Sequence, residues 1–410
     1  MTKVVHIQKS ARSAGGSALR LHKAFLEKGL DTYILSLFPD ENDNERIFYP
    51  GRFSKLITII NDKINLFLSG KTKKEYGLFS YTIWGIDITH LRHVKEADVI
   101  IIHWVQGEFL SISAYRKLAK LGKPVVIVMH DMWTFTGGCH YSFSCEKYKS
   151  ECADCQVFAD NRMFDMSKRG FLSKKKLFQH YDNFIFVSPS RWLESCANQS
   201  SILNAKPVHH IPNILDDKVF KPVAKSLARQ IIDIDVNAKV IAFGAVSIDS
   251  PYKGWDYLKK ALDILSSEIS SENILILVFG KHVTDEMAQS IPFKKRYMGF
   301  LRDETSLALV YNAADVFVTP SLADNLPTTV LESLACGTPV VGFNIGGIPE
   351  MILHKDNGYI ADYKNATDLS KGLRYCLDSG IKGRLLPEFR KEENICEYIR
   401  IVNELLRNQS

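Results

Sequence analysis

The residues best suited to chemistry lie in residues 316–352, which read VFVTPSLADNLPTTVLESLACGTPVVGFNIGGIPEMI. Pro327 stands where a first helical turn tolerates proline, and Thr328 and Thr329 set hydroxyls beside the free N–H groups of that helix end, a ready anion site. Asp324 and Glu332 are separated by seven residues, one before the helix and the other about a turn and a half inside it. A diphosphate at the helix start would place an attached sugar toward Asp324 and a ribose toward Glu332. Gly346 and Gly347 add a second backbone turn near the same strand ends. Upstream, Lys253 and Gly254 follow a strand and a loop through Ser247 and Asp249, and they open a helix. A lysine there is a point charge for the same diphosphate.

The first half offers three further groups. Gly15 and Gly16 sit between a strand and a helix, where backbone N–H groups approach a phosphate. His103 and His130 each close a strand run, IIIHW and VVIVMHD, and are candidates for polar substrate contacts. Asp131 either orients the His130 ring or caps the next turn. The following loop carries Cys139, His140, Cys145, Cys152 and Cys155. In a reducing compartment four such thiols either close a structural zinc site or remain reduced and partly buried.

These groups must be held by something, and the chain supplies short β-branched runs alternating with helix-period segments. That alternation predicts an α/β fold of two doubly wound parallel sheets. The strands fall at residues 4–7, 33–37, 98–103, 124–130 and 184–187, then 240–243, 274–279, 297–300, 316–319 and 339–343. Ligands of such sheets sit beyond the carboxyl ends of the strands, where every residue above lies. Residues 207–222 hold three prolines and read as an interdomain crossing. The expected division is residues 1–212, residues 213–385, and a closing helix in residues 386–410 that packs back toward the first domain.

Length and composition agree. The 410 residues are too many for one ordinary core, and 46% hydrophobic with 24% charged residues is average for a globular protein. Residues 1–7 resemble no signal peptide and no apolar run reaches a bilayer's thickness, so the expectation is a cytoplasmic protein. A net charge of +6 is too small to demand nucleic acid, and no aromatic residues interleave the basic clusters. Lys71, Lys73, Lys74 and Lys174, Lys175, Lys176 flank the reading of an anionic membrane surface, which the apolar helix-period stretch at residues 56–68 would join. The plainer alternative puts Ile57, Ile60, Ile64 and Phe67 of that stretch into the core.

Taken together, the segment around Asp324 and Glu332, the run from Leu334 to Val341, the Gly346 to Glu350 turn, Gly15 and Gly16, His130, Ile211-Pro212-Asn213 and Lys253-Gly254 resemble the family 4 retaining glycosyltransferases. The resemblance covers most of the chain and implies a GT-B architecture, two Rossmann-like domains facing across a cleft. It implies that Lys253 contacts the diphosphate of a nucleotide-sugar donor and Glu332 its ribose. Asp324 and the backbone of Asn325 and Leu326 would hold the sugar, with His130 touching it from the other domain and His103 and Asp131 on the acceptor side. Transfer would retain configuration without a side-chain nucleophile or catalytic metal, onto a saccharide or lipid-linked saccharide in surface polysaccharide synthesis. This sequence departs from the family pattern twice: Asp324 stands where glutamate is usual, and no arginine precedes the Lys253-Gly254 pair. The alternatives are a nucleotide-sugar epimerase or hydrolase on the same scaffold, and a binding protein without catalysis.

Overall fold

The computed structural model describes residues 1–11, 16–38, 46–69, 73, 76–81, 83–107, 109–158, 165–270 and 272–407. The chain divides into two compact units, Met1–Ile214 with Glu392–Ser410, and Leu215–Lys391.

The first unit is built on β1 (Lys3–Ser10), β2 (Asp31–Phe38), β3 (Ile47–Phe48), β4 (Val99–Ile102), β5 (Val125–Val128), β6 (Phe184–Ser188) and β7 (Val208–His210). They form one sheet in the order β3-β2-β1-β4-β5-β6-β7, every neighbouring pair parallel. Both faces are buried, as continuous runs such as VIII and VVIV require. On one face Val4, Val99, Ile101, Val126 and Val128 pack with Leu21 and Phe25 of the Ser17–Glu27 helix, and with Ile395, Tyr398 and Val402 of the Lys391–Arg407 helix. The last helix of the chain therefore completes the core of the first unit.

The Arg52–Ser69 helix of this unit is inverted over its described side chains at residues 54 and 56–61. Ser54, Thr58 and Asn61, three and four residues apart, are buried, whereas Leu56, Ile57, Ile59 and Ile60 are exposed by 38 to 54%. The inward polar groups are satisfied: Ser54 Oγ donates to the Pro50 carbonyl at 3.2 Å, and the Asn61 amide donates to the Trp84 carbonyl. Ile57 and Ile60 do not face the core, Ile64 is partly exposed, and the Phe67 side chain lies outside the described ones.

The second unit holds β8 (Lys239–Ser247), β9 (Ile274–Lys281), β10 (Lys294–Gly299), β11 (Val316–Thr319), β12 (Val340–Phe343) and β13 (Gly358–Ala361). The order is β10-β9-β8-β11-β12-β13, again all parallel. Both sheets thus share the doubly wound 3-2-1-4-5-6 order, which β7 extends by one strand in the first. Each has its switch point between its first and fourth strands, which is where such sheets open a crevice at their carboxyl ends. The two Rossmann-like units are those the alternation of strands and helices predicts. Strands β3, β7 and β13 were not expected, and β10 begins three residues earlier than the sequence suggested. Among the described residues no helix is long and apolar enough to cross a membrane.

Candidate functional site

In the second unit the loops after β8 and β11 flank the switch point, and they carry the predicted residues. Lys253 ends a 3-10 turn, Pro251–Lys253, and its Nζ lies 2.7 Å from the Asp324 Oδ2. Two backbone features force this meeting. Gly254 has φ 73°, and a Cβ there would stand 1.8 Å from the Pro320 carbonyl oxygen, so only glycine lets the two loops touch. The Leu322 N–H then donates to the Tyr252 carbonyl at 2.7 Å. Gly346, with φ 59°, fits against the Asp324 carbonyl in the same way, 1.8 Å from a hypothetical Cβ. Gly347 N–H donates to Asn325 O at 2.8 Å. Burial pulls the Lys253 ammonium toward a lower pKa, but the Asp324 carboxylate and Tyr252 outweigh it and leave it above its ordinary value.

Pro327 is the N-cap of the Thr328–Ala335 helix, one residue before the first turn, with no side-chain cap. Thr328 and Thr329 are partly exposed at that end, and Asn325, Leu326 and Pro327 are buried. The Asn325 N–H donates to the Asp324 Oδ1 at 3.1 Å, so this amide braces the carboxylate. Glu332 is buried inside the helix, and its Oε2 accepts from the Tyr311 hydroxyl at 3.1 Å. Ser247 closes β8, donating to Asp249 at 2.8 Å. Tyr311 carried no signal in the sequence, since an aromatic residue on a helix facing a sheet reads as core.

In the first unit Gly16, φ 70°, is the N-cap of the Ser17–Glu27 helix, and Gly15 lies outside the described residues. His103 follows β4 directly, and His130 comes two residues after β5. His103 Nδ1 and His130 Nε2 are 3.4 Å apart, and His103 Nε2 and His6 Nδ1 are 3.1 Å apart. The His22 ring stands edge-on to His6 at 6.0 Å. Burial lowers the pKa of all four, to about 4 for His22 and His130. They are neutral imidazoles at pH 7. Their partner His6 was missed, although a histidine alternating with Val4 on a buried strand was the available signal.

Asp131 caps the short Met132–Phe135 turn, accepting from the Trp133 N–H at 2.9 Å, from His140 Nδ1 at 2.6 Å and from Trp104 Nε1 at 3.1 Å. Burial raises its pKa, but His140 and these donors turn the net shift downward. Asp131 therefore anchors the loop after β5, and the His130 ring is held by His103. Ser80 Oγ lies 2.8 Å from His140 Nε2, tying in a further segment.

The four loop cysteines are free thiols, Cys139 and Cys152 buried and Cys145 and Cys155 partly exposed. Among the described residues no three His, Cys, Asp or Glu side chains are arranged to hold a metal ion. Lys174 is not a surface residue: its ammonium is buried 3.7 Å from the Trp133 ring centre and donates to the Trp133 and Thr136 carbonyls. This corrects its assignment to a docking cluster, because a side chain satisfied by buried carbonyls meets no membrane. Lys175 and Lys176 reach solvent, Lys73 is exposed, and Lys71 and Lys74 lie outside the described residues.

Two parallel doubly wound units, with polar side chains gathered beyond the strand ends of each, define a protein of the GT-B class. Comparison with known proteins agrees. Residues 225–393, nearly the whole second unit, match the family described as glycosyl transferases group 1. An uncharacterized glycosyltransferase of Haemophilus influenzae is 27% identical over 97% of this chain and 98% of its own. Among solved structures, sucrose-phosphate synthase from Thermosynechococcus elongatus covers all of both chains at a TM-score of 0.63 and 16% identity. The HepE protein of Anabaena in complex with UDP-glucose covers all of this chain and 99% of its own, with a TM-score of 0.60 and 14% identity. The structural likenesses establish the fold, and the sequence matches support a glycosyltransferase.

Proposed function

We propose that the protein is a retaining glycosyltransferase that moves a sugar from a nucleoside-diphosphate donor to a saccharide or lipid-linked saccharide in surface polysaccharide synthesis. The observation that carries this reading is the 2.7 Å pair of Lys253 and Asp324 at the switch point of a unit that matches group 1 glycosyltransferases. A mobile diphosphate needs a positive charge that grows in worth as the glycosidic bond breaks, and Lys253 supplies it. Asp324, held by Lys253 and the Asn325 N–H, meets sugar hydroxyls. The helix end at Thr328 and Thr329 adds N–H dipoles for the phosphates, and Glu332, oriented by Tyr311, accepts from the ribose. HepE, of the same fold, is described with UDP-glucose, which supports a nucleotide-sugar donor here.

In this reading the leaving diphosphate is stabilised electrostatically and takes the acceptor's proton, so no side chain forms a bond to the sugar. His130 donates a hydrogen bond to a sugar hydroxyl, and His103 and Asp131 belong to the acceptor side through their hold on His130 and its loop. No catalytic metal is invoked. The inverted helix bearing Leu56, Ile57, Ile59 and Ile60 is assigned to an anionic membrane face, where lipid-linked acceptors reside.

A thermal-shift screen of nucleoside diphosphates names the base. The preferred donor is then incubated with and without acceptor sugars. Transfer appears only with acceptor; loss or epimerisation of donor without acceptor favours the hydrolase or epimerase, and an intact donor in every mixture rejects an enzyme.

A further inference from the structure

Four histidines of the first unit line one face of its sheet and rise as a staircase. His6 on β1 is in register with Ile101 on β4, and His103 is two residues beyond Ile101 on the same face. Ile101 is in turn in register with Val126, and His130 stands four residues beyond it, again on that face. Each step moves one strand across and two residues toward the carboxyl ends. Phe25 packs against His6, its ring centre 5.6 Å away, and His22 from the same helix closes the lower end. His6, His22 and His103 are buried, while His130 is partly exposed.

The protons on this staircase have one arrangement that costs least. Each neutral ring carries a single N–H. His6 Nε2 and His22 Nε2 are buried without a hydrogen-bond partner. A buried N–H without an acceptor costs more than a bare lone pair, so both rings hold their proton on Nδ1. His22 Nδ1 then donates to Thr32 Oγ1, 3.2 Å away. His6 Nδ1 donates to His103 Nε2 at 3.1 Å, which obliges His103 to carry its own proton on Nδ1. That proton goes to His130 Nε2 at 3.4 Å, and the His130 proton is left on Nδ1.

We infer that His6 and His103 are positioning residues that lock His130 in the Nδ1–H tautomer, making it a hydrogen-bond donor with an occupied Nε2 and not a general base. Resting on the glycosyltransferase reading, this names what His130 recognises: an acceptor oxygen such as a sugar hydroxyl. It also explains why the transferred proton has to leave by another route, since the lone pair of His130 is already engaged.

The test reads tautomers directly, from two-bond nitrogen–proton correlations of the full chain labelled with 15N-histidine at pH 7.5, without donor. His130→Gln identifies the His130 signals by their loss. The expected spectrum shows His130 protonated at Nδ1 and bare at Nε2, the reverse of the form free imidazole side chains prefer in water. His103→Phe removes the donor and should return His130 to the Nε2–H form. A second pair guards against misfolding: His6→Phe should mix the tautomers of His103 and His130, whereas His6→Asn, which keeps an amide donor, should restore the wild-type pattern. Wild-type His130 protonated at Nε2 overturns the proposal. So does an Nδ1–H form that persists in folded His103→Phe or His6→Phe. Sugar transfer, measured in parallel, should fall about tenfold in His6→Phe and recover in His6→Asn. Because the tautomer is read without donor, a wild type that shows the expected spectrum but transfers no sugar sinks the functional reading and leaves the lock standing.

Discussion

The two units share a strand order and both gather polar side chains beyond their strand ends, yet they charge those places in opposite ways. The first unit stacks neutral imidazoles, their pKa values lowered by burial. The second unit sets a full ion pair, Lys253 with Asp324, and a buried Glu332 at its crevice. Topology fixes where a ligand binds and leaves open what binds, because the loops and not the strands choose the charge. A unit holding separated formal charges suits a dianionic leaving group. The imidazoles of the first unit are neutral donors suited to hydroxyl-rich sugar, and the carboxylate beside them, Asp131, is engaged by His140, Trp104 and the Trp133 N–H.

The sharpest way to break this contrast is Lys253→Ala. It removes the positive charge and strands Asp324 in a partly buried site, so sugar transfer should fall on the order of 100-fold, with turnover hit harder than donor affinity. Steady-state kinetics on the folded variant decide, and a wild-type rate and Michaelis constant would mean that the donor site is misplaced. Glu332→Gln is gentler: the amide keeps the shape and the Tyr311 contact, and only the charge-assisted part of the ribose contact is lost, about 1 to 3 kcal/mol of donor binding by calorimetry.

Acid should undo the first unit's side of the comparison. Histidines whose folded pKa lies below the unfolded value of 6.5 contribute stability fully present above 6.5 and lost as pH falls toward about 4. For His22, fully buried, the loss between pH 6.5 and 5 is on the order of 2 kcal/mol. Urea unfolding at the two pH values should show it, and His22→Leu should flatten the dependence; an equal slope in the variant rejects the assignment.

Membrane attachment predicts a smaller effect, because no more than one helix face and a few lysines contribute. Flotation on anionic liposomes should carry the protein upward at low salt and release it at high salt, and Ile59→Asp with Ile60→Asp should abolish the binding. Finally, the zinc reading of Cys139, Cys145, Cys152 and Cys155 expects one structural ion per chain, and binding would have to draw together thiols that are not grouped as ligands among the described residues. Elemental analysis of reduced, metal-replete protein checks this, and negligible metal with four rapidly titrating thiols removes it.

Much of this was legible because burial leaves a periodic trace. The runs VIII, VVIV and VFVT announce strands hidden on both faces, and the sequence placed Lys253, Asp324 and Glu332 beside them. What escaped had no such trace. Strands β3 and β7 span two and three residues, and β10 reads KKRYMG because an edge strand is half solvated. The Lys253–Asp324 pair joins residues 71 apart, and its cause, glycines that allow two loops to touch, shows only in space. Hydrophobic periodicity misleads at residues 54–61 when read as core, since there Ser54, Thr58 and Asn61 are the inward side chains. The same limit hid Lys174, whose burial depends on two carbonyls 41 and 38 residues away.

The Lys391–Arg407 helix belongs to the first unit although the whole second unit intervenes in the chain. On that face Phe25 meets Tyr398 edge-on, ring centres 6.3 Å apart, and Val99 lies in the same apolar cluster as Ile395. The second unit, by contrast, is contiguous in sequence. A chain cut after Lys391 would therefore keep the second unit's core and strip one layer from the first, leaving apolar side chains around Phe25 and Val4 open to water.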